Sequence, residues 1–119
     1  MKSIKVLSVI FLLSMMMLSS CSKDDTAPNI VITSPVEGST LEKGKSYPVT
    51  GTITDDTELA EIDAGGVKIT TFDSKTSHSL ANITLPIPAT TTNTAGTFTV
   101  TATDKEGNKA TKVVNFIIK

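Results

Sequence analysis

The sequence predicts an all-β protein: an antiparallel two-sheet sandwich of about seven strands behind an N-terminal signal segment. Three observations predict it. From residue 29 onward, apolar residues alternate with polar ones at period 2, and no window after the first 20 residues keeps a helical 3.6 period. Clusters of Gly, Pro, Asp and Asn interrupt that pattern about every ten residues. All 20 Thr lie after residue 25, and β-branched side chains suit a pleated surface.

The elements follow in order. Asn29 to Thr33 is β-branched and stops at Ser34-Pro35. Val36-Glu37-Gly38-Ser39 reads as one turn and Glu42-Lys43-Gly44-Lys45 as a second. Tyr47, Val49, Gly51 and Ile53 then share one face of a strand, with Thr50, Thr52 and Thr54 on the other. Thr54-Asp55-Asp56-Thr57-Glu58 is a polar loop. Leu59 to Ala64 is a strand closed by Gly65-Gly66, a hairpin dipeptide, and Val67 to Phe72 returns. Asp73 to Ser79 is a polar connection. Leu80 to Leu85 is a short strand ended by Pro86 and Pro88. Ala89 to Ala95 is rich in Thr and poor in apolar residues, and reads as loop.

The last third alternates most regularly. Phe98, Val100 and Ala102 oppose Thr97, Thr99, Thr101 and Thr103. Asp104-Lys105-Glu106-Gly107-Asn108 is a turn. Ala110, Lys112, Val114, Phe116 and Ile118 then oppose Thr111, Val113, Asn115 and Ile117. Length, strand count and spacing together predict an Ig-like β-sandwich, with a small closed barrel as the alternative. The expected core is Ile30 or Val31, with Ile32, Val49, Ile53, Ile62, Phe72, Ile83, Phe98, Val100, Val114 and Phe116.

Charge and cysteine use exclude several classes. Arg is absent, and once Lys2 and Lys5 are set aside with the signal, nine Lys face 12 acidic residues. Phosphate neutralisation needs clustered cations, so nucleic-acid binding is not expected. Cys21 is the one cysteine, which rules out an internal disulfide and a four-ligand cysteine zinc site.

The N-terminus gives an address. Lys2 and Lys5 form a positive start, Val6 to Leu18 an apolar run broken by Ser8 and Ser14, and Leu18-Ser19-Ser20-Cys21 a small-residue cleavage site. The run falls short of the roughly 20 apolar residues of a membrane span. Leu18-Ser19-Ser20-Cys21 resembles a bacterial lipobox, which implies cleavage before Cys21 and acylation of its thiol by palmitate-type chains. Each buried methylene contributes about 0.8 kcal/mol, so several chains hold a small domain at a membrane. Ser22-Lys23-Asp24-Asp25 resembles the surface-export signal of Bacteroidota lipoproteins, which implies an outer-membrane, surface-exposed location. The expected organisation is a lipoprotein signal peptide at 1–20, an acylated cysteine and flexible acidic tether at 21–28, and the sandwich at 29–119.

Several short segments carry a wider resemblance. Thr26-Ala27-Pro28, Ile30-Val31-Ile32, Ser34-Pro35, Thr54-Asp55-Asp56, Gly96-Thr97-Phe98-Thr99-Val100 and Asp104-Lys105-Glu106-Gly107-Asn108 resemble bacterial Ig-like and fibronectin-type domains. Over residues 26–119 their order is similar to an uncharacterised family of Bacteroidota surface lipoproteins with one Ig-like domain. That family has no activity to carry over. Phe72-Asp73 and His78-Ser79 match a segment of the family that is richer in histidine. Ig sandwiches often carry a Tyr near the start of the sixth strand, hydrogen-bonded to backbone; Phe98 stands in that place and lacks the hydroxyl.

Candidate sites are few. In an Ig-like topology the lead-in and two loops meet at one end, gathering Asp24 or Asp25, Asp55, Asp56, Asp104, Glu106 and Asn108. Ca²⁺ takes six to eight oxygen ligands, so Asp25, Asp55, Asp56, Asp104 and Asn108 form a candidate calcium set, and the Asp-Lys-Glu-Gly-Asn turn resembles cadherin-type repeats. The competing reading is that Asp and Asn bond their own turns. His78 lacks a nucleophile elbow around any serine, and no enzyme activity is expected. Thr26 in Asp25-Thr26-Ala27 resembles a short O-glycosylation signal. The sequence therefore points to a non-enzymatic, lipid-anchored surface module for a protein partner. The alternatives are a small glycan-binding lipoprotein, which would show an exposed aromatic platform, or a calcium-stiffened envelope domain.

Overall fold

The computed structural model describes residues 25–119; the signal segment, Cys21 and Asp24 lie outside the described residues. Every element described is a strand, in the order β1 (Asn29–Ser34), β2 (Thr40–Leu41), β3 (Ser46–Thr54), β4 (Leu59–Ala64), β5 (Val67–Ile69), β6 (Ser77–Pro86), β7 (Thr94–Asp104) and β8 (Lys109–Ile118). They form two sheets, β1-β3-β6 and β2-β8-β7-β4-β5. The architecture is the expected sandwich, not a closed barrel, because β6 and β5 end their sheets unpaired on one side.

Period-2 alternation explains the layers. Val49, Gly51 and Ile53 of β3 point inward, as do Phe98, Val100 and Ala102 of β7 and Val114, Phe116 and Ile118 of β8. Val49, Ile53, Phe98, Val100, Ala102, Phe116 and Ile118 join Leu41, Leu59, Ile62, Ala64, Leu80, Ile83 and Ile87 in one contiguous core, and Val114 is buried outside that cluster. Ile53 and Ile62 are wholly buried, each worth about 2–3 kcal/mol of apolar burial. Val31 is half exposed, because β1 turns Ile30 and Ile32 inward instead. Phe72 is only partly buried and follows the end of β5, since that strand stops at Ile69.

Two strands start earlier than their apolar content suggests. β6 takes in the polar residues Ser77 to Ser79, paired to β3 through Thr54, Ile53 and Thr52. β7 begins at Thr94, paired to Ile118. The eighth strand, β2, runs parallel to the end of β8.

Aromatic rings and glycines fit together in two places. A Cβ on Gly65 would lie 2.4 Å from the Phe98 ring, and one on Gly96 would lie 2.4 Å from the Phe116 ring. The Phe98 ring thus covers the glycine of the β4–β5 turn, and the Phe116 ring covers the glycine of the neighbouring strand β7. Phe98 lies in mid-strand and is spent on that contact. A tyrosine–backbone bond occurs elsewhere: the Tyr47 hydroxyl accepts the Glu42 N–H at 2.7 Å, across the β2–β3 turn. In the same turn the Lys45 ammonium pairs with the Glu42 carboxylate, which raises the lysine above its usual value.

The free edge of β6 is irregular. Ala81 and Asn82 together oppose Thr50, and Asn82 adopts φ 59°. Such a bulge twists an edge away from casual pairing.

Glu37 fastens the β1–β2 connection to β8. Its Oε2 accepts the Asn115 N–H at 2.8 Å and its Oε1 accepts the Asn115 side-chain amide at 2.9 Å. The Asn115 backbone bond first, and the side-chain bond second, hold the Glu37 carboxyl below its ordinary value of 4.5. A depressed carboxyl contributes stability that is full above its unfolded value and lost as pH falls through the folded one. The group is exposed and the effect is small. We predict that below pH 4.5 the wild type loses melting temperature more steeply than Glu37→Gln. Parallel slopes in the two proteins would show that the clamp is not linked to the proton.

Candidate functional site

Strand directions define two poles. Asn29 pairs with Thr54, Thr54 with Ser77, and Leu59 with Asp104. The lead-in from Asp25 therefore enters beside the β3–β4, β5–β6 and β7–β8 loops. The Gly65-Gly66 hairpin and Lys119 lie at the opposite pole, where Ser46 pairs with Pro86 and Thr94 with Ile118.

The sequence placed its acidic set at the lead-in pole, and the loops there do adjoin. The Lys105 N–H donates to Glu58 O at 2.9 Å, tying the β7–β8 turn to the β3–β4 loop. The carboxylates are spent on their own loops. Asp55 Oδ2 accepts the Thr57 N–H and hydroxyl, each at 3.1 Å, and the Glu58 N–H at 2.9 Å. Asp104 Oδ1 accepts from the Glu106 and Asn108 amides at 2.9 and 2.8 Å, and Oδ2 from the Asn108 side chain at 2.9 Å. This is turn chemistry: a short acidic side chain satisfies backbone donors that the bend leaves open.

Asp25 and Asp56 are exposed, whereas Asp104 and Asp55 are 2% and 8% exposed. Among the described residues, no three His, Cys, Asp or Glu side chains stand close enough to hold one metal ion. Within this acidic set, Asp55 Oδ1 is buried with no hydrogen-bond partner. Thr26 is exposed beside the lead-in.

The β5–β6 loop closes the same pole. The Lys75 and Thr76 carbonyls accept the Leu59 and Asp55 N–H groups at 2.7 and 2.8 Å. Between this loop and the β7–β8 turn lies a polar cleft of about 350 Å³, lined by Glu58, Thr70, Phe72, Ser74, Lys75 and Lys105. His78 stands behind it. Its Nδ1 accepts the Asp73 N–H at 3.3 Å, and its ring meets Phe72 edge-on at 5.7 Å. The Ser79 amide donates to Asp73, and the Ser74 hydroxyl donates to Ser77 O. Neither serine hydroxyl bonds the imidazole, so His78 here is a loop fastener.

A second cleft, of about 450 Å³, opens toward the other pole between β6 and the β4–β5 hairpin. Ala64, Val67, Ile83, Leu85, Pro86 and Phe98 give it an apolar floor. Sequence reasoning missed this feature. The sequence pattern carries the returning strand on to Phe72, whereas β5 stops at Ile69. Among the described residues the aromatics offer no open stacking platform. Phe98 and Phe116 are buried, Phe72 and Tyr47 are partly buried against the core, and the Tyr47 hydroxyl is engaged.

No family model matches the chain, and no curated protein matches its sequence. Solved structures do resemble it. The fibronectin(III)-like modules of Clostridium thermocellum CbhA superpose with a TM-score of 0.52 at 18% identity, over 76% of this chain and 46% of that one. The Bacteroides ovatus mixed-linkage glucan utilization locus protein SGBP-B, solved with a mixed-linkage heptasaccharide, gives a TM-score of 0.28 at 17% identity, over 69% of this chain and 21% of that one. This chain spans less than half the length of either. At such identities a likeness speaks for fold alone, and only the first is close enough to do so. The chain is an all-β, two-sheet sandwich similar in fold to fibronectin(III)-like modules.

Proposed function

We propose that this protein is a non-enzymatic, lipid-anchored module of the outer-membrane surface that binds a protein partner through its free edge and loops. What carries the reading is polarity: the lead-in enters at one pole, and the apolar cleft opens toward the other. A chain tethered at Cys21 would present that cleft outward. Past its bulge, the Ile83 to Pro86 end of β6 lines that cleft and has no neighbouring strand on its outer side, a setting in which extended segments of partners dock. The glycan alternative lacks the aromatic platform it called for. The test is cross-linking of intact cells with a membrane-impermeant reagent, followed by pull-down and mass spectrometry. Labelling together with one recurrent partner supports the reading; labelling only after lysis overturns the surface location.

The anchor has its own test. Cys21→Ala is expected to leave the protein soluble and unacylated, as read by detergent phase partition and mass. Continued partition with membranes would sink the lipobox reading.

The calcium reading is favoured by one observation, the unpartnered buried oxygen of Asp55. A buried anionic atom without a partner costs about 1–3 kcal/mol or more, which a bound cation relieves. Millimolar Ca²⁺ is then expected to raise the melting temperature, and a chelator to reverse it. An unchanged melting curve rejects calcium.

A further inference from the structure

His78 is the one histidine of the chain. It lies opposite Ile53, in the inward phase of β6 two residues before buried Leu80, with its side chain 15% exposed. Because Nδ1 accepts the Asp73 N–H, the neutral ring must carry its proton on Nε2. The same Nδ1 stands 3.6 Å from Asp73 Oδ2, which itself accepts the Ser79 N–H at 2.8 Å. One ring nitrogen thus faces both a donor and a carboxylate of one residue. It cannot serve both: unprotonated it accepts, protonated it must donate.

The surroundings leave the choice to Asp73. β3, packed beside His78, carries no charged residue. The β3–β4 loop brings Asp55, Asp56 and Glu58, the β5–β6 loop brings Asp73 and Lys75, and the β7–β8 turn brings Lys105 to the cleft. Among the described residues, only Asp73 stands within ion-pair reach of the ring.

We propose that protonation of His78 works a latch on the β5–β6 loop. Nδ1 gains a proton from solvent, releases the Asp73 amide, and donates to the Asp73 carboxylate. The Asp73 peptide then has to move. The shift passes along the loop, whose Lys75 and Thr76 carbonyls hold the Leu59 and Asp55 amides and whose Phe72, Ser74 and Lys75 line the polar cleft. The cleft wall is fastened when the ring is neutral and loosened when it is charged. Acidification operates the latch, because a proton on Nδ1 removes the acceptor that holds the Asp73 amide.

The single histidine makes the test clean. On the full chain in detergent micelles, ¹H–¹⁵N spectra of the imidazole report its tautomer, and backbone amides report the loop. At pH 8 the ring is expected as the Nε2–H tautomer. On acidification the Asp73, Leu59 and Asp55 amides should shift with the same midpoint as the ring. Asp73→Asn keeps the amide but removes the receiving carboxylate, so the ring midpoint should fall. An Nδ1–H ring at pH 8 overturns the proposal. So does a loop whose amides ignore the imidazole, or an Asp73→Asn midpoint equal to that of the wild type.

Discussion

Asp104→Ala is expected to cost the domain about 3 kcal/mol, a large share of the roughly 5–15 kcal/mol that holds a domain of this size together. Asp104 is 2% exposed, and its carboxylate accepts hydrogen bonds from the Glu106 amide and from the amide and side chain of Asn108. Bonds to a charged acceptor are worth about 1.5–3 kcal/mol each but are not additive. Alanine leaves the Glu106 and Asn108 amides without their acceptor, in a turn where Gly107 already adopts φ 89°. Asp104→Asn keeps one carbonyl oxygen and should lie between the two. Urea unfolding measures the difference, and amide exchange in the β7–β8 turn locates it. A cost under about 1 kcal/mol would mean that water replaces the carboxylate and that the turn is not built on it.

Gly51→Ala is expected to be at least as damaging. Gly51 lies in β3, the central strand of its sheet, between Ile32 and Leu80. A Cβ there would stand 2.3 Å from the Val31 carbonyl oxygen and 3.0 Å from the Ile32 Cα. Both are backbone atoms, so relief requires β1 itself to move. We expect a loss of about 3 kcal/mol or more, a melting temperature lower by roughly 15 °C. Gly66→Ala is the contrast. Its φ is 93°, but nothing lies within 4 Å, so only backbone strain of about 1 kcal/mol applies. Equal losses at the two positions would reject the close approach of β1 to β3.

The strands that alternate over their whole length were legible in advance. β3 and β7 have the expected faces because one side of each meets the core and the other meets water, whereas β4 breaks the alternation at an irregularity between Leu59 and Glu61. Where that contrast fails, legibility fails. β2 has two residues and no period; it exists because Ser39 O and Leu41 O accept the Ile117 and Lys119 amides of the neighbouring strand. Ile87 reads as loop between two prolines, yet it is buried and exchanges backbone bonds with Lys45 and Gly44. Val113 and Ile117 are apolar yet face outward, on the side that the alternation of β8 assigns them. At the loop pole, sequence placed Asp55 and Asp104 near each other. The competing reading, that Asp and Asn bond their own turns, describes what Asp55 and Asp104 do, because a short acidic side chain meets the backbone donors its own bend leaves open.

The parallel pairing of β2 with β8 has a mechanical consequence. Asp25 and Lys119 lie toward opposite poles, so tension between them runs along the strands rather than across them. The Ile117–Ser39 and Lys119–Leu41 bonds cross that line of pull. They are loaded together in shear and must break as a set, whereas a hairpin pulled from its open end yields one bond at a time. A small sandwich held by a lipid at one end and gripped at the other would resist extension at the patch of Thr40 and Leu41, its shortest strand.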